Sequence, residues 1–284
     1  MLVGPCGSGK STMARGICDE RGFVYINQDS QGREHLSRFD DAILAGHNVV
    51  VDRMNFTKGQ RSRYLDLAKS HGYHTTIVVL HTNYETCFAR CIARQGHETI
   101  KEESAARGAL NMFFSKYERV EDTEADCVSR LWPDGLKPLA IVCDLDGTLC
   151  DIRHRRHFVR REDGGKKDWP GFFKAMSDDA VNVWCAEILK AMGSKYRIVL
   201  CSGRPDDYRR KTEDWLAKHS IAYDDLFMRL RNDSRQDNIA KEIILDFEIL
   251  TRYTPSFMID DRQQVVDCWR RRGYICLQCD VGDF

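Results

Sequence analysis

The run Gly4-Pro5-Cys6-Gly7-Ser8-Gly9-Lys10-Ser11 has the spacing G-x-x-x-x-G-K-S. Glycines there let successive backbone N–H groups wrap phosphates, the lysine reaches the outer phosphates of a nucleotide, and the serine hydroxyl is offered to Mg²⁺. A helix opening at Lys10 adds its positive dipole end. Gly4, Gly7, Ser8, Gly9, Lys10, Ser11 and Thr12 are therefore the expected nucleotide-binding residues. Asp29 follows the apolar run Phe23–Ile26, where a carboxylate could take a proton from a hydroxyl facing the γ-phosphate. Taken alone it reads at least as well as a helix N-cap. Asp52 ends the run Val49–Val51, as an acid orienting the metal would. Arg90 and Arg94 share one helix face ahead of Gly96-His97, so they could clamp a transferring phosphoryl group. A solvated basic face is the competing reading.

A second cluster begins with Asp144-Leu145-Asp146-Gly147-Thr148-Leu149, directly after the apolar run Leu139–Cys143. Two carboxylates at i and i+2 repel, and burying both without a cation is costly, so Mg²⁺ is the natural neutraliser. One carboxylate can attack phosphorus to give an acyl phosphate while the other shuttles a proton. This hexapeptide resembles the signature of the haloacid-dehalogenase (HAD) superfamily. The superfamily's other parts follow in order: Ser202-Gly203-Arg204 after the run Ile198–Cys201, then Lys241 in Asp237-Asn238-Ile239-Ala240-Lys241, then Asp260-Asp261-Arg262 after Phe257–Ile259. A lysine can neutralise the phospho-aspartate, and a second acidic pair can complete the metal shell.

Both clusters need elements to hold them. Short apolar runs, the five above and Thr76–Leu80, alternate with amphipathic stretches such as Arg61–Ser70, Tyr84–Arg94, Val181–Met192 and Lys211–His219. Strands that read as continuous apolar runs separated by helices imply parallel sheets covered on both faces. The fold class is thus α/β, with two domains: a P-loop NTPase-type sheet over 1–130 and a HAD-like, Rossmannoid sheet over 138–284. The acidic run 121–126 and the Pro/Gly-rich 132–138 put the linker near 125–137. Chemistry-bearing residues stand at strand ends, where open α/β sheets form their sites. With 284 residues, two domains is also the prior from length.

Composition excludes several classes. There are 43 basic and 43 acidic residues, which argues against a polybasic binder relying on bulk charge. No run of eighteen apolar residues suggests a membrane span, and the N-terminus lacks a secretory pattern. The 12 cysteines are scattered and mostly within apolar runs, as reduced, buried thiols of a cytoplasmic protein would be. Arg153, Arg155, Arg156 and Arg160, with Lys166 and Lys167, are interleaved with Trp169, Phe172 and Phe173. Such a mixture suits a single strand, whose backbone follows charge and whose bases stack on rings; solvated surface over core aromatics is the alternative.

A phosphate-loop module followed by a DxDGT module resembles the polynucleotide 5′-kinase/3′-phosphatases of the T-even phage type over almost the whole chain, most strongly at 259–271 and the closing Gly282-Asp283-Phe284. The resemblance implies that Lys10 and Ser11 bind ATP phosphates and Mg²⁺, with Asp52 at the metal, and that Asp29 activates a 5′-hydroxyl. It implies that Arg94, with Arg90 a turn earlier, contacts the transferred phosphate. In the second module it implies Asp144 as nucleophile and Asp146 as general acid/base. Arg155, Ser202, Arg204 and Asp237 become substrate-binding residues, Arg204 and Lys241 catalytic ones, and Asp144, Asp146, Asp260 and Asp261 metal-binding. The 5′-hydroxyl-binding arginine is displaced: Gly32 stands at its place and Arg33 follows. RNA or DNA ends, a ligase acting on the healed ends, and self-association are the partners implied, in a phage or bacterial cytosol. A metabolite kinase fused to a small-molecule phosphatase is the alternative enzyme, and a nucleotide-binding module with one dead domain the non-catalytic one.

Overall fold

The computed structural model describes residues 1–93, 102–160 and 165–282. Arg94, the Gly96-His97 lid and the closing Asp283-Phe284 lie outside the described residues. The chain divides into two compact units, Met1–Asp134 and Gly135–Phe284.

The first unit runs β1 (Leu2–Val3), α1 (Lys10–Arg21), β2 (Val24–Asn27), α2 (Gln28–Gln31), α3 (His35–Leu44), β3 (Val49–Asp52), α4 (Lys58–Ser70), β4 (Thr76–Leu80), α5 (Tyr84–Ala93), α6 (Glu103–Lys116) and β5 (Cys127–Leu131). Its sheet has the order β2-β3-β1-β4-β5, with every pairing parallel. Alternate residues of the strands feed opposite faces: Ile26 and Val51 pack under α3 and α4 with Phe39 and Tyr64, while Leu2, Val50 and Leu80 pack under α1 with Ala14. β5 corrects the expected linker. It occupies part of 125–137 and escapes a search for apolar runs because, as an edge strand reading Cys-Val-Ser-Arg-Leu, no residue of it is fully buried.

Arg61 holds the floor of this unit together. Its fully buried guanidinium donates to both carboxylate oxygens of Glu124 at 2.6 and 2.9 Å and to the carbonyls of Asn55 and Glu118 at 3.1 and 3.0 Å. Arg61→Ala would strand a buried carboxylate and two carbonyls, and is expected to destabilise by about 3–5 kcal/mol. Arg61→Lys should recover only part of that, because one ammonium cannot span the fork. Thermal unfolding monitored for each variant checks both.

The second unit runs β6 (Leu139–Cys143), β7 (Cys150–Asp151), α7 (Trp169–Lys174), β8 (Ala180–Val181), α8 (Val183–Met192), β9 (Arg197–Pro205), α9 (Arg209–Lys218), β10 (Asp225–Arg229), α10 (Asp237–Ile244), α11 (Leu250–Arg252), β11 (Thr254–Asp260), α12 (Gln263–Arg271) and β12 (Cys276–Gln278). α10 and α11 are joined through a π turn, Leu245–Ile249. The main sheet has the order β10-β9-β6-β11-β12, all parallel; β7 and β8 form a small antiparallel pair. Ile141 and Cys143 pack on one face with Leu200 and Trp215. Ala140 and Val142 pack on the other with Val199, Met258 and Trp269. β6 comes first and its successors go to either side, so the order reverses between β6 and β11. Asp144 and Asp260 leave the sheet there side by side, at the switch point where such sheets hold ligands.

Candidate active sites

In the first unit the phosphate loop joins β1 to α1. Gly7 has φ +77, and a Cβ there would lie 2.4 Å from the Cys87 carbonyl oxygen, so only glycine lets the loop pack on α5. Lys10 is buried, and its Nζ donates to the Pro5 carbonyl at 2.6 Å. Burial lowers its pKa, against the opposing pull of Asp52. Asp52, buried at the end of β3, accepts from Tyr25 Oη at 2.6 Å and Asn27 Nδ2 at 3.0 Å. Asn27 also caps α2 by accepting from the Ser30 amide. The capping role considered for Asp29 thus falls to Asn27, and Asp29 stands in the first turn of α2.

A cavity of about 460 Å³ brings together Gly7, Gly9, Lys10, Ser11, Asp29 and Asp52, with Arg53, Met54 and Phe56 on the loop after β3 and Ala105, Ala109 and Met112 on α6. Thr12, Ser8 and Arg90 border a second, more open cavity on the other side of the loop, where Arg90 donates to the Gly7 carbonyl at 3.3 Å. Arg33 is exposed in the turn after α2 and does not line the cavity. Besides Lys10, the cation on its wall is Arg53, one position past Asp52, whereas Arg33 is not placed with them.

In the second unit, Lys241 on α10 donates to Asp144 Oδ1 at 2.6 Å and Asp260 Oδ2 at 2.9 Å, and stands 3.5 Å from Asp237 Oδ2. All four groups are buried. Asp237 is held further by Arg229 at 3.1 Å and Arg262 at 3.4 Å. Burial would lower the Lys241 pKa, but the carboxylates of Asp144, Asp237 and Asp260 push it well up, so it stays an ammonium. One ammonium does not balance the acids around it. Burial pushes the Asp144 carboxyl well above the usual range despite Lys241, and Asp260 and Asp261 push it further. Burial and Asp260 push Asp261 up to about 7.

Asp144, Asp260 and Asp261 each offer an oxygen within 4.8 Å of the others. Among the described residues, Asp261 Oδ2 is buried with no hydrogen-bond partner, and its Oδ1 receives a long contact from Thr148 Oγ1, 3.4 Å. Gly147, at φ +92, makes room for this carboxylate: a Cβ would lie 2.2 Å from Asp261 Oδ2. Hard oxygen donors, excess negative charge and an orphaned acceptor fit a divalent cation.

Asp146 belongs to a different cluster. Its carboxylate receives Arg204 Nε at 3.0 Å to both oxygens and Arg155 Nη2 at 2.5 Å. Arg155 also grips Asp179, Nε to Oδ1 at 2.6 Å, and Arg204 Nη2 reaches Asp179 Oδ2 at 3.3 Å. Burial alone would raise the Asp146 carboxyl, but the two guanidiniums outweigh it and hold it well below the usual range. Asp146, Cys150 and Asp179 are close enough together to consider a metal, but two arginines already neutralise them. The Asp146 carboxylate, expected at the metal, pairs with arginine and lies outside the Asp144-Asp260-Asp261 set.

A cavity of about 410 Å³ opens over this region, with Asp144, Asp146, Gly203 and Asp237 on its wall together with Arg229 and Arg262. Arg155, Ser202 and Arg204 are fully buried behind it. Ser202 Oγ accepts from the Arg204 amide at 3.2 Å, so it shapes the irregular end of β9 that carries Arg204 rather than lining the cavity. Asp179 has no counterpart in the sequence reading. It sits in Ser177-Asp178-Asp179 with no motif around it, and only the tertiary fold brings it to Arg155.

Two parallel α/β units, one with a nucleotide-phosphate loop and one with an aspartate–lysine–aspartate cluster at its switch point, define a P-loop kinase-type domain joined to a HAD-like phosphatase domain. Residues 138–284, slightly more than half of the chain, match the family described as polynucleotide kinase PNKP phosphatase domain, and the chain belongs to that family. Residues 30–119 match the model described as an AAA domain. A protein of Autographa californica nuclear polyhedrosis virus, named as a bifunctional polynucleotide kinase/RNA ligase, is 24% identical over 305 residues, covering 95% of this chain and 40% of the relative. A protein of Acanthamoeba polyphaga mimivirus, named as a bifunctional polynucleotide phosphatase/kinase, is 33% identical over 85 residues, covering 29% of this chain and 20% of the relative. The chain thus spans less than half the length of these curated relatives. A solved structure of the Pnkp1/Rnl/Hen1 RNA repair complex contains a chain 30% identical, covering 100% of this chain and 96% of that one, at a TM-score of 0.44. No helix among the described residues is long and apolar enough to cross a membrane.

Proposed function

We propose that this chain heals polynucleotide ends. The first unit phosphorylates a 5′-hydroxyl with ATP, and the second removes a 3′-phosphate or a 2′,3′-cyclic phosphate. The observation that carries the reading is the Asp144-Lys241-Asp260-Asp261 cluster at the switch point of a sheet in the polynucleotide kinase phosphatase family, in one chain with a complete phosphate loop.

In the phosphatase, Asp144 attacks phosphorus and the bond to the 3′-oxygen breaks, leaving an acyl phosphate on Asp144. Lys241 offsets charge on the attacking carboxylate. Mg²⁺ held by Asp144, Asp260 and Asp261 would polarise the phosphoryl oxygens. Asp146 gives a proton to the departing 3′-oxygen, then takes one from the water that hydrolyses the acyl phosphate. Its pairing with two arginines keeps it ionised as it stands. Phosphate oxygens drawing Arg204 toward themselves would weaken that hold and let it carry the proton it donates. In the kinase, Lys10 moves from the Pro5 carbonyl to the outer phosphates, Ser11 and Asp52 would hold Mg²⁺, which would offset phosphate charge, and Asp29 takes the proton of the incoming 5′-hydroxyl. Arg94 completes the clamp with Arg90. The products, a 5′-phosphate and a 3′-hydroxyl, are the ends a ligase consumes, which makes a ligase the natural partner.

The test uses a short oligonucleotide with 5′-hydroxyl and 3′-phosphate, γ-labelled ATP and Mg²⁺. Both ends should change, and chelation should stop both reactions. Lys10→Ala should lower 5′ labelling on the order of 10³-fold while 3′-phosphate release stays within about twofold. Turnover of sugar phosphates and small alcohols with neither end altered would replace this reading with a metabolite kinase–phosphatase.

A further inference from the structure

The mechanism above leaves one wall of the phosphatase cavity unused. Trp169, the first residue of α7, lines the cavity that holds Asp144 and Asp146, yet 36% of it is exposed. The ring is not loose. It stacks on Phe173 at 5.9 Å and 23° and meets the edge of Phe172 at 5.7 Å and 86°, and both phenylalanines are buried. Phe172 in turn carries the Arg155 guanidinium on its face, 4.0 Å from the ring centre. α7 is fixed at its start by Asp168, which accepts from the Gly171 amide at 2.9 Å, and by Pro170 in its first turn. Lys167 lines the same cavity and holds its ammonium 5.7 Å from the Trp169 ring centre.

A rigid aromatic, backed by other rings and half open beside a nucleophile, is what an unpaired nucleobase stacks on. A small aliphatic phosphate has no π-face to stack on it. Resting on the end-healing reading, we infer that Trp169 is the platform for the terminal base of the strand whose 3′-phosphate is removed, with Lys167 beside it for the strand's backbone. The phosphatase then takes unpaired or frayed ends in preference to ends closed in a duplex, because the base must leave its own stack to reach the ring. The link through Phe172 to Arg155 and on to Asp146 ties the seated base to the proton-carrying carboxylate.

The experiment compares three oligonucleotide 3′-phosphates: one with a terminal base, one with an abasic terminal residue, and the base-bearing end paired in a blunt duplex. The wild-type protein should prefer the unpaired base-bearing end over the abasic one by about tenfold in kcat/KM, mostly through KM; tenfold is ~1.4 kcal/mol. Trp169→Ala should collapse that preference to near one, and Trp169→Phe should keep most of it. If Trp169→Ala does not fold, Asp144→Asn protein titrated with the base-bearing oligonucleotide gives a second readout. Its tryptophan fluorescence should fall on binding, and Trp169→Phe in that background should remove most of the change. An unaltered preference in Trp169→Ala, or an unaltered quench in the double variant, overturns the platform. Failure of the wild-type protein to release phosphate from any of the three overturns the end-healing reading itself.

Discussion

Asp144→Asn is expected to lower 3′-phosphate release on the order of 10⁴-fold, because an amide cannot form the acyl phosphate. The substitution is a narrow one. Asn keeps the shape of the side chain, and Lys241 retains Asp260 at 2.9 Å and Asp237 at 3.5 Å, so the ammonium is not left bare. It also removes one of the carboxylates that crowd the switch point, which favours the fold. The loss should therefore appear in turnover without a fall in unfolding temperature. ATP-dependent 5′ labelling should stay within about twofold, since Lys10, Asp29 and Asp52 belong to the other compact unit. Phosphate release measured colorimetrically and 5′ labelling measured on the same oligonucleotide give both numbers. Residual release above a tenth of the wild-type rate would remove Asp144 from the role of nucleophile.

The strand-end acids proposed for this chemistry were legible because they stand where buried strands stop. β4 and β6 run over the apolar stretches Thr76–Leu80 and Leu139–Cys143, and Asp52, Asp144 and Asp260 appear as the polar residue at a strand's end. Three of the four strands at sheet edges, all but β2, were not legible. β5 has no fully buried residue, and β12 spans three residues with one of them buried; neither makes the continuous apolar run by which a central strand announces itself. β10 packs three apolar residues between Asp225 and Arg229, too few to distinguish from a turn of helix. α8 begins at Val183 because Ala180–Val181 is taken by the pairing with β7.

Side chains that act on other side chains were the harder class. Lys241 could be found from its place in an ordered set of motifs. Asp179 could not, since its partners Arg155 and Arg204 stand 24 and 25 residues away. The same holds for Arg61 and Glu124, 63 residues apart. Arg155 matched an active-site position by resemblance, but its work only emerges from the geometry: it holds Asp146 and Asp179 while lying on Phe172. Arg53 and Arg33 make the converse case. Arg53 directly follows the strand-end Asp52 and Arg33 stands four residues after Asp29, and only the three-dimensional course of the two segments decides that Arg53 borders the kinase cavity.

Asp261→Asn is expected to move activity and stability in opposite directions. Release of the 3′-phosphate should fall on the order of 10³-fold through loss of a metal-holding oxygen, while the metal-free protein should become more stable by about 1 kcal/mol, about 3 °C for a unit of this size. The reason lies in what surrounds this carboxylate. Its Oδ2 is buried without a partner, and burial and Asp260 push its pKa up to about 7. A carboxyl raised in the folded state stabilises the fold while it stays protonated, and that stability is lost as pH rises through about 7. The gain from the neutral amide should therefore be large at pH 8 and shrink at pH 6. Adding Mg²⁺ should raise the unfolding temperature of the wild-type protein by preferential binding to the folded state, and that response should be absent in the variant. Had Asp261 been held in an ion pair, neutralising it would cost stability, because its partner would be left charged and buried. The sign of the shift in metal-free protein thus separates a carboxylate kept for a cation from one kept for the fold, and an equal Mg²⁺ response in both proteins would remove Asp261 from the metal site.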